Sequence, residues 1–457
     1  MVRSKLHLAL IAALVAAPFA HAAPTEMKEA PVAAAPSAKA LGGAEFAIAT
    51  RGPTLVSLPA PSVIEARSLK SRRQDQVKHG QPFEIGLARD VPNPRIALQK
   101  LGWQRLPDGR LATSFEVASG NAVAMRTAMS LKALGRVDAS GVTFRFGGND
   151  GRVFEMNGRE FTGSDGGWSP VTMGAKSTVE VVLARGLRPQ NFALSMPQVS
   201  HIDMSPITSE AAIASIAKIG ESGSCENDIV CRVNPTAGFL NAEKAVARML
   251  FTKSGASYLC TGTLLNNTNA TKRHLFWSAA HCISSQKVAS TLQTYWFYKA
   301  TTCGGTTQAP GAVTLTGGAT LLFANTTRDT LLLELKTAPP AGAYYAGWTS
   351  TAIGATGTAI EGIHHPAGDA KMYSLGSVTG LSTTIDRKSP LYQVVWNSGV
   401  TEGGSSGSAL FKVAADGTYQ LTGGLYGGYS FCSAPNDPDY YSRFADVYSS
   451  IATYFGP

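Results

Sequence analysis

The stretch Gly403-Gly404-Ser405-Ser406-Gly407-Ser408 decides between two incompatible folds. Taken as G-x-S-x-G with Ser405 at its centre, it is a nucleophile elbow on a strand-to-helix turn, and such an elbow draws its histidine from later in the chain. Taken with Ser406 as the reactive serine, its glycines let the backbone fold tightly around an inward-facing oxyanion site. All eight histidines lie upstream of Ser405, the last being His365. Only the order His, Asp, Ser remains.

The histidine follows from an apolar strand. In Phe276-Trp277-Ser278-Ala279-Ala280-His281-Cys282 the strand delivers His281 at its end, beside a cysteine that can pin it by a disulfide. The acid that orients an imidazole has three candidates between His281 and Ser406. Asp369 and Asp386 sit in polar turns, whereas Asp329 stands directly before the apolar run Thr330-Leu331-Leu332-Leu333-Glu334-Leu335. A carboxylate in that position can be held at the rim of a barrel, so Asp329 is the choice.

Outside this region the 457 residues call for more than one domain. Met1–Lys5 is basic, Leu6–Val15 is apolar but too short to span a bilayer, and Ala20-His21-Ala22 has the small-x-small form of a cleavage site. Residues 1–22 therefore read as a signal peptide and the protein as secreted, with no membrane span. Ala23 to Ala40, rich in Ala and Pro, reads as a flexible leader.

The net charge of +9 is unevenly placed: residues 1–219 carry 25 Lys and Arg against 17 Asp and Glu, and residues 220–457 carry 15 against 14. No basic run with interleaved aromatics accompanies the N-terminal excess, which excludes a nucleic-acid partner, and Lys70-Ser71-Arg72-Arg73 reads as a solvated loop. Cys225, Cys231, Cys260, Cys282, Cys303 and Cys432 all fall in the second half. An even count in an exported chain implies three disulfides, with the pairing open.

From about residue 41 to 210, alternating stretches such as Leu111–Val117 and Gly141–Phe146 are separated by Gly-rich turns, the pattern of a β-rich domain. Its histidines, His79 and His201, have no partner motif, so a scaffold role is expected. Ser209–Lys218 is a short helix or linker ending at Lys218-Ile219-Gly220, a natural processing point. Residues 23–219 are accordingly expected to be a propeptide and residues 220–457 the catalytic domain. That domain reads as many strands followed by an amphipathic helix over Arg443–Phe455, where Phe444, Val447, Tyr448, Ile451 and Phe455 share a face.

Residues 220–457 resemble the bacterial lysyl endopeptidases, a branch of the chymotrypsin-like serine proteases. The resemblance is carried by Gly223-Ser224-Cys225 with Cys231, Cys260-Thr261-Gly262, Ala280-His281-Cys282, Leu332–Leu335, Ile363-His364-His365-Pro366 and Thr401-Glu402 leading into Gly404–Ser408. It implies an all-β fold with a two-barrel catalytic domain, His281 as general base, Asp329 as its partner, Ser406 as nucleophile, and the amides of Gly404 and Ser406 as oxyanion hole. It further implies the bridges Cys225–Cys432, Cys231–Cys303 and Cys260–Cys282, no cofactor, no metal, and a monomer acting on protein or peptide substrates. His364-His365 is accordingly structural, since no H-E-x-x-H or Cys cluster accompanies it.

The trypsin-type pocket acid, six residues before the nucleophile, is replaced by Val400. The family instead uses a segment shaped Asp-x-Tyr-Gly-Arg, matched by Asp439-Tyr440-Tyr441-Ser442-Arg443, which makes Asp439 the group that receives a basic P1 side chain. Leu425, Tyr426 and Gly427 are expected to pair with the substrate backbone. Two departures, Ser442 in place of Gly and Tyr426 in place of the family's histidine, imply that Arg is accepted as well as Lys. Ser405 stands where trypsin has the aspartate that greets a new N-terminus, so the propeptide would act by assisting folding or by blocking the cleft. The competing class is a catalytically silent homologue acting as an adhesin or binding module.

Overall fold

The computed structural model describes residues 23–456 except 34, 50, 77–79, 165 and 205–221. The signal peptide, the Ser209–Lys218 segment, the Lys218-Ile219-Gly220 junction and His79 lie outside the described residues. Among those described, no helix is long and apolar enough to cross a membrane.

Two β-systems make up the second half. In the C-terminal one, strands Ala359–His364, Met372–Ile385, Lys388–Ser398, Ala409–Val413, Tyr419–Gly428 and Asp439–Arg443 pair antiparallel, and the first-to-last pairing of Tyr419–Gly428 with Asp439–Arg443 closes them into a barrel. Closure removes the two outer edges that an open six-stranded sheet would leave. The alternation of Tyr392, Val394 and Trp396 (buried) with Gln393 and Val395 (half-exposed) is what commits this chain segment to one inward face. In the N-terminal system, Val246–Lys253, Ala256–Leu265, Leu275–Ser278, Thr330–Leu335 and Ala319–Asn325 follow one another, with Gln293–Trp296 and Val313–Leu315 on the other flank. The domain has the expected all-β, two-barrel form. A C-terminal helix covers Ala445–Ile451 and tightens into a 3₁₀ turn at Ala452–Tyr454, burying Phe444, Val447, Ile451 and Phe455.

The N-terminal region is β-rich, as its alternation predicted. Strands Val153–Asn157, Val142–Gly147, Lys176–Leu183, Leu111–Ser119 and Thr54–Leu58 form one sheet. A second sheet runs directly into the C-terminal half: Ala124–Ala133 pairs with Gln198–Ile202, that with Phe83–Asp90, and that with Ser257–Leu259 of the N-terminal barrel. Phe83, Ile85, Val171, Met173 and Ile202 share one core with Leu250, Leu259 and Tyr295 across this junction.

Two readings of the sequence are corrected here. The Ala/Pro-rich leader is not a loose tail: Glu26–Met27 pairs with Trp348–Thr349, Ala30–Pro31 pairs with Tyr344–Tyr345, and Val32 is buried in the N-terminal barrel. Composition fails here because a strand added to an edge is held by its main chain, whatever its side chains. Lys70–Arg73 is not a loop either. It lies in helix Val63–Gln76, where Arg72 grips the Glu84 carboxylate through Nε and Nη2 (2.7 and 2.8 Å) and Arg73 pairs with Asp203.

Candidate active site

The register of two strands brings histidine and acid together. Leu275–Ser278 pairs antiparallel with Thr330–Leu335 so that Ser278 faces Leu331, which puts the residues after Ser278 beside the residue before Thr330. Asp329 caps that strand with φ +52° and is fully buried. Its carboxylate holds His281 twice, accepting from the backbone N–H through Oδ1 (2.8 Å) and from Nδ1 through Oδ2 (2.8 Å). With Nδ1–H directed at Asp329, a neutral ring presents its lone pair at Nε2, a buried atom with no partner among the described residues. Asp369 and Asp386 are elsewhere: Asp369 accepts from the Ser222 hydroxyl and Asp386 from the Tyr426 phenol.

Ser406 is docked from the other barrel. Gly404 and Gly407 take φ of +100° and +82°, and a Cβ on Gly407 would collide with Ser278 and Thr261, so the loop closes against the N-terminal barrel only because these positions are glycine. Thr261 N–H donates to Ser406 O (2.8 Å), Thr261 Oγ1 to Gly404 O (2.9 Å), and Cys282 Sγ lies 3.9 Å from Ser406 O. The Cys260–Cys282 bridge therefore ties the histidine-bearing loop to strand Ala256–Leu265, on which the serine loop docks through Thr261. Cys225–Cys432 and Cys231–Cys303 are the other two bridges. Cys260, His281 and Cys282 cluster closely, but sulfurs locked in a disulfide offer no thiolate to a metal.

The rival serine is spoken for. Ser405 is fully buried with its hydroxyl on His364 Nδ1 (2.8 Å), and His364 Nε2 meets the Ser374 hydroxyl (2.9 Å). Burial drives the pKa of His364 down to about 3, so it is a neutral strut. His365 is equally buried, with Nδ1 on Asp369 O (2.9 Å). Around Ser406 the amides of Ser405, Gly407 and Ser408 are all bonded internally, whereas those of Gly404 and Ser406 donate to no acceptor among the described residues.

A pocket opens from Ser406 to Asp439, lined also by Thr401, Glu402, Leu425, Tyr426 and Gly428. Asp439 is 1% exposed, and its Oδ2 accepts from Trp396 Nε1 (2.6 Å), Thr401 Oγ1 (2.7 Å) and Ser430 Oγ (2.7 Å). Among the described residues Oδ1 takes only a 3.3 Å bond from Ser430 N–H, which leaves it able to accept a further donor. Burial raises the pKa of Asp439, with the four donors pulling it back. Both oxygens of Glu226 are buried with no well-formed hydrogen bond among the described residues, and burial together with the charges of Glu402 and Asp439 drives its pKa well up against the pull of the Val400 backbone. Tyr426 stands edge-on to His281, ring centres 5.9 Å apart, and its hydroxyl donates to Asp386 (3.0 Å).

Sequence reasoning had not assigned roles to Trp396, Thr401 and Ser430, whose donors converge only through pairing of distant strands, nor to Glu226. It also missed the N-terminal residues Gly80 and Gln81, which line the same pocket and leave a cavity of about 10 Å³, room for a single water.

Comparison with known proteins addresses the chain as a whole. Residues 219–442 match the model of the lysyl endopeptidase C-terminal domain and residues 57–203 that of the lysyl endopeptidase N-terminal domain. A lysyl endopeptidase of Pseudomonas aeruginosa is 45% identical over 418 residues, covering 90% of this chain and 88% of that protein. Among solved structures, a thermostable serine protease from an extremophilic microorganism aligns with 46% of this chain and 96% of its own at 15% identity and a TM-score of 0.33. The MamO protease domain of Magnetospirillum magneticum aligns with 46% and 97% at 12% identity and a TM-score of 0.31. On the strength of both halves of its sequence, the chain belongs to the lysyl endopeptidase family.

Proposed function

We propose that the protein is a secreted endopeptidase that cuts after Lys, and also after Arg, through an acyl-enzyme formed on Ser406. His281 Nε2 removes the Ser406 proton as Oγ attacks the scissile carbonyl. The N–H groups of Gly404 and Ser406 receive the developing oxyanion, and the imidazolium, steadied by Asp329, returns the proton to the leaving amine. Water then takes the same route to release the acid product. The observation that carries this reading is the double grip of the Asp329 carboxylate on His281, which fixes tautomer and orientation together.

Asp439 at the foot of the pocket supports the preference for a cationic P1 side chain. Its Oδ1 accepts a Lys ammonium by a charge-assisted hydrogen bond, and Arg by the same oxygen. Residues 23–219 act as a propeptide that blocks the cleft, a reading supported by Gly80. It is buried against Tyr426, where a Cβ would overlap the phenol ring, next to the Leu425–Gly427 edge on which a substrate would lie.

The test is hydrolysis of peptide amides ending in Lys, Arg, Glu or Phe by the processed enzyme. Cleavage of the Lys and Arg amides is expected, with Asp439→Asn lowering kcat/KM for both by roughly 10²–10³-fold, the range for unpairing a buried charge. Hydrolysis of none of the four by an enzyme indistinguishable from Ser406→Ala would end the proposal.

A further inference from the structure

Residues 23–33 bind a surface that has no part in the Ser406 pocket. Thr25 O accepts from Ser350 N–H (2.9 Å) and its hydroxyl (2.8 Å), Asn266 Nδ2 donates to Lys28 O (2.8 Å), and Val32 N–H donates to Ala343 O (2.9 Å). Tyr448 donates its phenol hydrogen to Pro24 O, and Lys28 Nζ lies 2.6 Å from Asp416. Two short antiparallel pairings complete the strap, and Val32 is only 5% exposed. The N-terminal region also touches the catalytic domain at a second, separate place, through Phe83–Asp90 on Ser257–Leu259, Arg126 Nη1 on Thr252 Oγ1 (2.9 Å) and the Ser200–Ser257 hydroxyl pair (2.8 Å).

We infer that residues 23–33 are an anchor that keeps the cleaved propeptide on the enzyme: the edges Ala343–Thr349, with Asn266 and Tyr448, form an exosite for that segment. The inference rests on the propeptide reading above. Cutting the junction near residue 219 removes the covalent link but neither attachment. The two attachments then sit on one polypeptide, so that when one lets go the other holds it at high local concentration. Such bivalency typically strengthens retention by roughly 10²–10⁴-fold over either contact alone. Release of an active enzyme therefore waits on the loss of the strap as well as on junction cleavage.

The experiment follows the full-length chain after it has processed itself, with two readouts: co-elution of the N-terminal segment with residues 220–457, and the lag before peptide-amide hydrolysis. Val32→Asp sets a charge into the buried end of the strap and is expected to shorten retention at least about tenfold. Asp416→Asn with Tyr448→Phe removes two contacts from the enzyme side, leaves the strap sequence and its lysine intact, and is expected to shorten it about fivefold. This second variant decides the matter if Val32→Asp is not secreted. Retention unchanged from wild type in the secreted variants would overturn the anchor while leaving the propeptide reading in place. A wild-type enzyme fully active while its N-terminal segment still co-elutes would overturn cleft blocking and leave the anchor standing.

Discussion

Asp439 and Glu226 are two buried carboxylates whose shifts have opposite practical meanings. Asp439 must be ionised to receive a cation, and its pKa is raised by burial. Activity on Lys amides should therefore fall, as pH drops, earlier than a solvent-exposed aspartate would dictate, with the loss appearing in KM, and Asp439→Asn should flatten that limb. Glu226 favours its protonated form once folded. Its contribution to stability is thus fully present below the pKa of an unfolded glutamate and is lost as pH rises through the higher folded value. Glu226→Gln is expected to raise Tm at pH 8 while changing little at pH 4, as read by thermal melts of the full chain; an equal change at both would refute the assignment. At this scale the sequence argues most directly where chain order alone decides, since every histidine precedes Ser405 and an elbow there has none to draw on. It is silent on Glu226, because nothing in Glu226-Asn227 announces that the chain path will bury it within reach of the Glu402 and Asp439 charges.

Elements reveal what a position in the sequence means. The tip of the hairpin Met372–Ile385 and Lys388–Ser398 carries Asp386 and Arg387, both with positive φ, and Asp386 reaches Tyr426 over the histidine. Removing the phenol hydroxyl with Tyr426→Phe should free this tip and lower kcat/KM about three- to tenfold, the value of one hydrogen bond, and Asp386→Asn should do the same. Unchanged kinetics in both would mean that the bond is incidental. Strands with clean alternation were legible in advance, as was the C-terminal helix. Helix Val63–Gln76 was not, because its apolar residues form no stripe and Val63 and Ile64 are exposed. The available signal was its capping box: Ser62 accepts from Glu65 N–H (3.2 Å) while Ser62 N–H donates to the Glu65 carboxylate (2.7 Å).

Over the whole molecule, one sheet passes from the N-terminal region into the catalytic barrel, so the two halves share hydrogen bonds as well as a core. Main-chain pairing of this kind leaves no periodic trace, which is why the cysteines set the two halves apart in the sequence while their docking leaves no mark there. If Gly80 blocks the cleft, Gly80→Phe should push that segment off Tyr426, at the usual 1–3 kcal/mol of overpacking, and raise the activity of unprocessed chain about tenfold. An unprocessed chain that stays equally silent with Phe at position 80 would argue against it. The central claim, that Ser406 is the nucleophile of a His281–Asp329 pair, is met most directly by treating the processed enzyme with an organophosphorus serine reagent and mapping the adduct by mass spectrometry. One adduct on Ser406, formed at a rate that collapses in His281→Ala, is the predicted result; an adduct on Ser405, or labelling of Ser406 indifferent to His281, would contradict it.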